Sequence, residues 1–312
     1  MNPLTATELH GNWGTLLLPI TDDDSIDWHL LEQEIDHLLL AGVDGIYSNG
    51  SAGEFYTQTE AEFDQVSALL ARKCHAQNRP FQIGACHTSA QIARERIRRT
   101  KGLQPSAFQV ILPDWFPPSW GEIRTFLATM AAEAAPAPLV LYNPPHAKRQ
   151  FAPIEWHRLI DATPSIIGIK VAGGGEDWYR AMQPVLQRIA GFIPGHHLAT
   201  GLARGARGSY SNVACLSPRG AQRWYQLCRD DSATALEWQA RIQTFWETHI
   251  APLITRDQLC NMAADKAAAV AGGWLPGLTG RLRWPYRSAE PDTIRQIAAA
   301  ARRELPSDFF NE

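Results

Sequence analysis

The chain predicts a (β/α)8 TIM barrel, an α/β fold, with a C-terminal helical extension. Three observations lead there. Eight short apolar, β-branched runs alternate with longer helical patterns over about 215 residues, the length such a barrel needs. Runs such as Ser165-Ile166-Ile167-Gly168-Ile169-Lys170-Val171 are apolar on both faces, as parallel strands covered on both sides are. After residue 213 the strand-like runs stop and only helical patterns follow.

The predicted strands cover 14–19, 42–48, 81–86, 107–112, 138–142, 166–170, 191–194 and 208–213. Helical patterns fill the gaps at 28–40, 60–71, 90–101, 121–135, 154–161, 177–188 and 198–204. The first of these repeats Leu30, Leu31, Ile35, Leu38 and Leu39 with a helical period, behind polar residues 22–25 suited to a helix start. The tail reads as helices at 219–229, 232–250, 256–271 and 291–303. No Pro/Gly/Ser linker separates them, so residues 1–217 form the barrel and 218–312 pack on it as one structural unit. An open doubly wound sheet is the alternative, but no GxGxxG opens the first helix.

Composition narrows the function. The 312 residues carry 29 basic and 32 acidic side chains, a net charge of −3, which is no nucleic-acid footprint. Thr5, Glu8 and His10 near the start do not read as a signal peptide. Apolar stretches are broken by Glu133, Pro136 or the Asp265-Lys266 pair before reaching the roughly 20 residues of a membrane span. Five cysteines (Cys74, Cys86, Cys215, Cys228, Cys260), scattered and without CxxC spacing, fit a reducing, cytoplasmic setting with neither disulfides nor a zinc cage.

Of the 29 basic residues only five are lysines: Lys73, Lys101, Lys148, Lys170 and Lys266. Lys73, Lys101 and Lys266 fall on predicted helices, where arginine would serve, and Lys148 lies on a loop where it could meet an acidic substrate. Lys170 ends the sixth strand, at the face where barrels place their chemistry. There an amine can lose its proton by desolvation and attack a ketone to form a Schiff base, which a guanidinium cannot do. A charge pair at the barrel mouth is its bland alternative.

Tyr142 ends the fifth strand, where its hydroxyl can pass a proton or simply bond a loop. Gly50-Ser51-Ala52-Gly53-Glu54 follows the second strand; its N–H groups and the Ser51 hydroxyl could hold a carboxylate, or it is only a Gly-rich turn. Gly173 and Gly195, after strands six and seven, and Tyr210, in strand eight, are further candidate substrate-binding residues. Trp115, in Asp114-Trp115-Phe116 after strand four, sits where the cleft wall should be. His87, His196 and His197 could together build a metal site, although adjacent histidines on a loop point to different sides.

These residues carry a family resemblance. Gly50-Ser51-Ala52-Gly53-Glu54, Leu141-Tyr142-Asn143-Pro144-Pro145, Ile167-Gly168-Ile169-Lys170 and Gly205-Ala206-Arg207-Gly208-Ser209-Tyr210-Ser211 resemble the motifs of the dihydrodipicolinate synthase / N-acetylneuraminate lyase family of pyruvate-dependent class I aldolases. The resemblance implies a homo-oligomer, a tetramer of two tight dimers or a dimer. It also implies a Schiff base of Lys170 with a 2-oxo acid, no separate cofactor, Tyr142 as proton shuttle, and Ser51 linking it to the carboxylate site. Three departures stand out. Ala52 replaces a hydroxyl residue of the loop, Pro113-Asp114-Trp115-Phe116 replaces the tyrosine that the synthases offer across the dimer interface, and Ala147 replaces the arginine that clamps their semialdehyde. Lys148 and Arg149 follow close behind Ala147.

The reading that follows is a lyase that breaks or makes a C–C bond in a 2-oxo acid, with pyruvate as the common fragment. A sugar-acid dehydratase on the same iminium, the synthase of lysine biosynthesis, a metal-dependent aldolase and a non-catalytic oxo-acid-binding barrel are the alternatives.

Overall fold

The computed structural model describes residues 1–310. Eight strands, β1 (Gly11–Thr15), β2 (Gly45–Ser48), β3 (Phe81–Gly84), β4 (Ala107–Val110), β5 (Leu139–Tyr142), β6 (Ile166–Lys170), β7 (Ala190–Phe192) and β8 (Gly208–Tyr210), pair in parallel in sequence order. β8 pairs with β1, and the barrel closes. Helices α1 (Trp28–Leu40), α2 (Glu60–Ala76), α3 (Ala90–Thr100), α4 (Trp120–Ala134), α5 (Pro153–Ala162), α6 (Glu176–Leu186) and α7 (Leu198–Ala203) alternate with the strands. After β8 come α8 (Asn212–Leu216), α9 (Pro218–Asp230), α10 (Ser232–Phe245), α11 (Ala251–Thr255), α12 (Asn261–Gly272) and α13 (Pro291–Glu304). No helix among the described residues is long and apolar enough to cross a membrane.

Strand pleating divides each strand between two layers. Ile46, Ile83, Phe108, Leu141 and Ile169 point outward and meet Leu31, Ile35, Phe63, Leu127 and Trp156 of the helices. Trp13, Tyr47, Val140, Phe192 and Tyr210 fill the barrel interior. That interior is more polar than the apolar runs suggest, because Gln82 and Gln109 also point into it and are buried, while Asn12, on the outer side of β1, bonds Gln222 of the tail.

Local chemistry sets the element ends. Thr59 and Ser119 form capping boxes with Glu62 and Glu122 that start α2 and α4. α1 begins at Trp28 as predicted, but Asp27, rather than the 22–25 stretch, caps it. β1 lies earlier than the predicted 14–19. Leu16 N still donates to Tyr47 O, but beyond it the chain leaves the ladder because side chains take its backbone groups: Leu17 N donates to Glu34 at 2.6 Å and Leu18 O accepts from Lys266 at 2.7 Å. β8 is shorter than the predicted 208–213, because Ser211 caps α8, accepting from Ala214 N at 3.0 Å. The predicted 232–250 helix ends at Phe245 and passes through a wide π turn, Trp246–Ile250, ahead of Pro252, which has no N–H to continue the ladder. The predicted 256–271 helix starts only at Asn261, after Gln258 adopts a left-handed conformation.

Candidate active site

β5 and β6 place Tyr142 and Lys170 opposite each other in the ladder, at the strand ends. Lys170 Nζ lies 4.4 Å from the centre of the Tyr142 ring, 5.1 Å from that of Tyr47 and 5.5 Å from that of Tyr210. It donates a hydrogen bond to Tyr47 Oη at 3.3 Å. Three aromatic faces can hold a cation there, whether ammonium or iminium. Burial outweighs this help and pulls the Lys170 ammonium down to about 8, against the opposing field of Asp265.

Burial pushes the Tyr142 hydroxyl up to about 12, while a hydrogen bond with Ser51 pulls the other way. Tyr142 therefore carries its proton at neutral pH. Ser51 belongs to the β2–α2 loop, which is shaped by left-handed Asn49 and Glu54. Gly53 is required in that loop, because a Cβ would stand 2.9 Å from Leu16 O. Gly50 backs onto the Tyr47 ring. Ala52 is buried against Leu17, Cys215 and Ala269.

The loop is anchored from below by a buried ion pair. Lys266 Nζ donates to Glu54 Oε1 at 2.5 Å, to Leu18 O at 2.7 Å and to Arg281 O at 2.7 Å. Both ion-pair partners are fully buried. The expectation that arginine would serve at Lys266 is therefore overturned. Three acceptors match the three protons of an ammonium, whereas a guanidinium would bring five donors in a plane.

The other candidates separate. Gly173 follows Lys170 with φ +78°, a turn that favours glycine, and Gly195 N donates to Asn212 Oδ1 at 2.8 Å. Tyr210 is buried, with its ring facing Lys170, and donates to Gln82 Oε1 at 2.6 Å. Among the described residues no hydrogen bond or ring contact joins Trp115 to Lys170 or Tyr142. Trp115 is 72% exposed beside Phe116, at a surface hollow of about 910 Å³ between α3 and α4. Lys148 faces this tryptophan, bonding its carbonyl and lying 4.9 Å from the centre of its ring. Arg149 pairs with Glu155.

His196 and His197 do not point apart: their ring centres are 4.2 Å from each other. Among the described residues no three His, Cys, Asp or Glu side chains gather as a metal cage.

Two residues of the cluster escaped the sequence reading. Tyr47 sits inside strand 42–48, where its inward position was the available signal. Asp265 comes from α12, and its signal was an acid inside an alanine run, Ala263 to Ala271.

Comparisons agree with this geometry. The family model of the dihydrodipicolinate synthetase family matches residues 8–270. A 4-hydroxy-tetrahydrodipicolinate synthase from Sorangium cellulosum is 26% identical over 306 residues, covering 95% of this chain and 96% of that one. An N-acetylneuraminate lyase from Escherichia coli SE11 is 25% identical over 213 residues, covering 67% of this chain and 70% of the lyase. YagE, a prophage protein of the dihydrodipicolinic acid synthase family from Escherichia coli K12 solved with pyruvate, shares the fold. Its TM-score is 0.81 at 22% identity, over 95% of this chain and 98% of its own. With its closed barrel and a family match over most of its length, the chain belongs to the dihydrodipicolinate synthetase family.

Proposed function

We propose that the protein is a Schiff-base lyase that cleaves, or reversibly forms, a C–C bond in a 2-oxo acid, with pyruvate as one product. The observation that carries this reading is Lys170 itself, an amine held near neutrality at a barrel mouth, faced by a protonated tyrosine. Lys170 attacks the C2 ketone to give a carbinolamine. Tyr142 gives its proton to the departing hydroxyl, and water leaves with formation of the iminium. The tyrosinate then takes the proton of the C4 hydroxyl while the C3–C4 electrons move into the iminium, releasing an aldehyde and an enamine. Protonation at C3 and hydrolysis return pyruvate and the free lysine. The β2–α2 loop, with Ser51 at hand for Tyr142, holds the oxo-acid carboxylate.

The residues that would select the aldehyde differ from those of a synthase. Ala147 stands where the clamp would be, and Trp115 and Phe116 stand where the interface tyrosine would be. This favours a lyase on a sugar-acid or apolar partner over lysine biosynthesis. The exposed Trp115 and Phe116 support association of copies of the chain through that face.

Reduction with borohydride in the presence of pyruvate tests the reading. A covalent adduct mapped to Lys170 and absent from Lys170→Arg is the expected result. Full turnover in Lys170→Arg would overturn the assignment. A panel of 2-oxo sugar acids and aspartate semialdehyde then separates lyase from synthase.

A further inference from the structure

α12 packs on α8, the helix that follows β8, and touches the β2–α2 loop twice. Lys266 bonds Glu54, and Ala269 packs in one cluster with Ala52. Asp265 lies one helical turn before Ala269, and so on the same face of α12. It is only 8% exposed. The charged or titratable side chains around it are Lys170 on β6, Tyr47 on β2, Tyr142 on β5, Tyr56 after the loop, Cys215 on α8 and Lys266 on its own helix.

None of these forms an ion pair with Asp265 among the described residues. Lys266 is committed to Glu54, and Lys170 bonds Tyr47. Among the described residues, the one hydrogen bond the Asp265 side chain receives is from Asn261 Nδ2 to Oδ2, at 3.1 Å. A buried carboxylate without a cation is costly, and taking up a proton relieves the cost. Burial accordingly pushes the Asp265 carboxyl up to about 7, with Lys170 pulling the other way.

Ala52 leaves the carboxylate loop one hydroxyl short. We propose that Asp265 is a substrate-binding residue that acts as a neutral carboxylic acid and donates to the substrate carboxylate the hydrogen bond Ala52 cannot make. This rests on the reading that the loop binds an oxo-acid carboxylate. Two carboxyl groups at one site share a proton, so the arriving ligand holds that proton in place. An ionised Asp265 repels the same ligand. The site thus takes monoanionic 2-oxo acids best on the acid side of neutrality.

Isothermal titration with pyruvate between pH 6 and 8.5 tests this on wild type, Asp265→Asn and Asp265→Leu, with borohydride trapping run in parallel. Wild-type affinity is expected to fall about fivefold from pH 7 to 8, the loss of one required proton from a group that titrates at about 7. The Asn variant keeps a donor that cannot ionise, so it binds within a few-fold of wild type at pH 6 and loses most of that slope. The Leu variant binds weakly throughout, with melting curves verifying that it folds. Parallel pH curves for wild type and Asn would overturn the proposal, as would an Asn variant as weak as Leu at pH 6. Pyruvate titration that follows the expected pattern without any Lys170 adduct would sink the Schiff-base reading alone. An adduct with parallel titration curves would sink the Asp265 role alone, and no pyruvate binding at any pH would sink both.

Discussion

Lys170 and Tyr47, 123 residues apart, meet through a 3.3 Å hydrogen bond from Nζ to Oη inside the barrel mouth. Tyr47 is itself fixed edge-on to Tyr210, 4.8 Å between ring centres, and that ring is bonded to Gln82. The lysine is thus held by the barrel's own packing, not by a carboxylate.

Removing the Tyr47 hydroxyl while keeping its ring, in Tyr47→Phe, takes an acceptor from the ammonium form. A bond to the charged form favours that form, so its loss lowers the Lys170 pKa further. The midpoint of pyruvate trapping against pH is expected to move down by roughly half a unit to one unit, given about 1 kcal/mol for such a bond. An unmoved midpoint would show that the contact carries no energy.

The wild-type enzyme should show its amine titration directly. Because the Lys170 pKa is lowered to about 8, the neutral amine is present above that value and disappears below it. With pyruvate kept saturating, the initial rate of adduct formation should rise about tenfold from pH 7 to a plateau above pH 9. A rate still climbing steeply at pH 10 would mean an ordinary exposed lysine.

The Lys266–Glu54 pair sets a stability prediction. Lys266→Ala leaves a buried carboxylate alone and should cost about 3–5 kcal/mol in chemical denaturation. Lys266→Arg should not restore the loss, since only three acceptors await its donors. Recovery of full stability by arginine would contradict the geometry.

Restoring the absent loop hydroxyl should harm this protein. Ala52 is packed against Leu17, Cys215 and Ala269, so Ala52→Thr forces extra volume into a closed cluster. The expected cost is about 1–3 kcal/mol, read from the denaturation midpoint, with pyruvate binding no tighter than wild type.

Much of the architecture was legible because parallel strands announce themselves as apolar runs, and the strand-end rule then singles out Lys170 and Tyr142. What was hidden depends on distant partners. β1 is displaced because Glu34 and Lys266 claim backbone groups beyond its end, which no local pattern encodes. Helical periodicity normally gives a helix one wet face, yet residues Ala263 to Ala269 of α12 are all buried, so the Asp265-Lys266 pair, which reads only as a break in an apolar stretch, is interior. Trp115 reads as a cleft residue from its place after strand four, yet the side chain it meets is that of Lys148, on another loop, a pairing no local pattern encodes.

The bond between Glu54 and Lys266 spans 212 residues and has a consequence for the order of assembly. All eight strands leave the ribosome before α12 does. A nascent chain that has completed its barrel still lacks the ammonium that pins the β2–α2 loop, and Asp265 beside it. Completion of the candidate site is therefore a late event in synthesis, withheld until the last quarter of the polypeptide has folded back onto the β2–α2 loop.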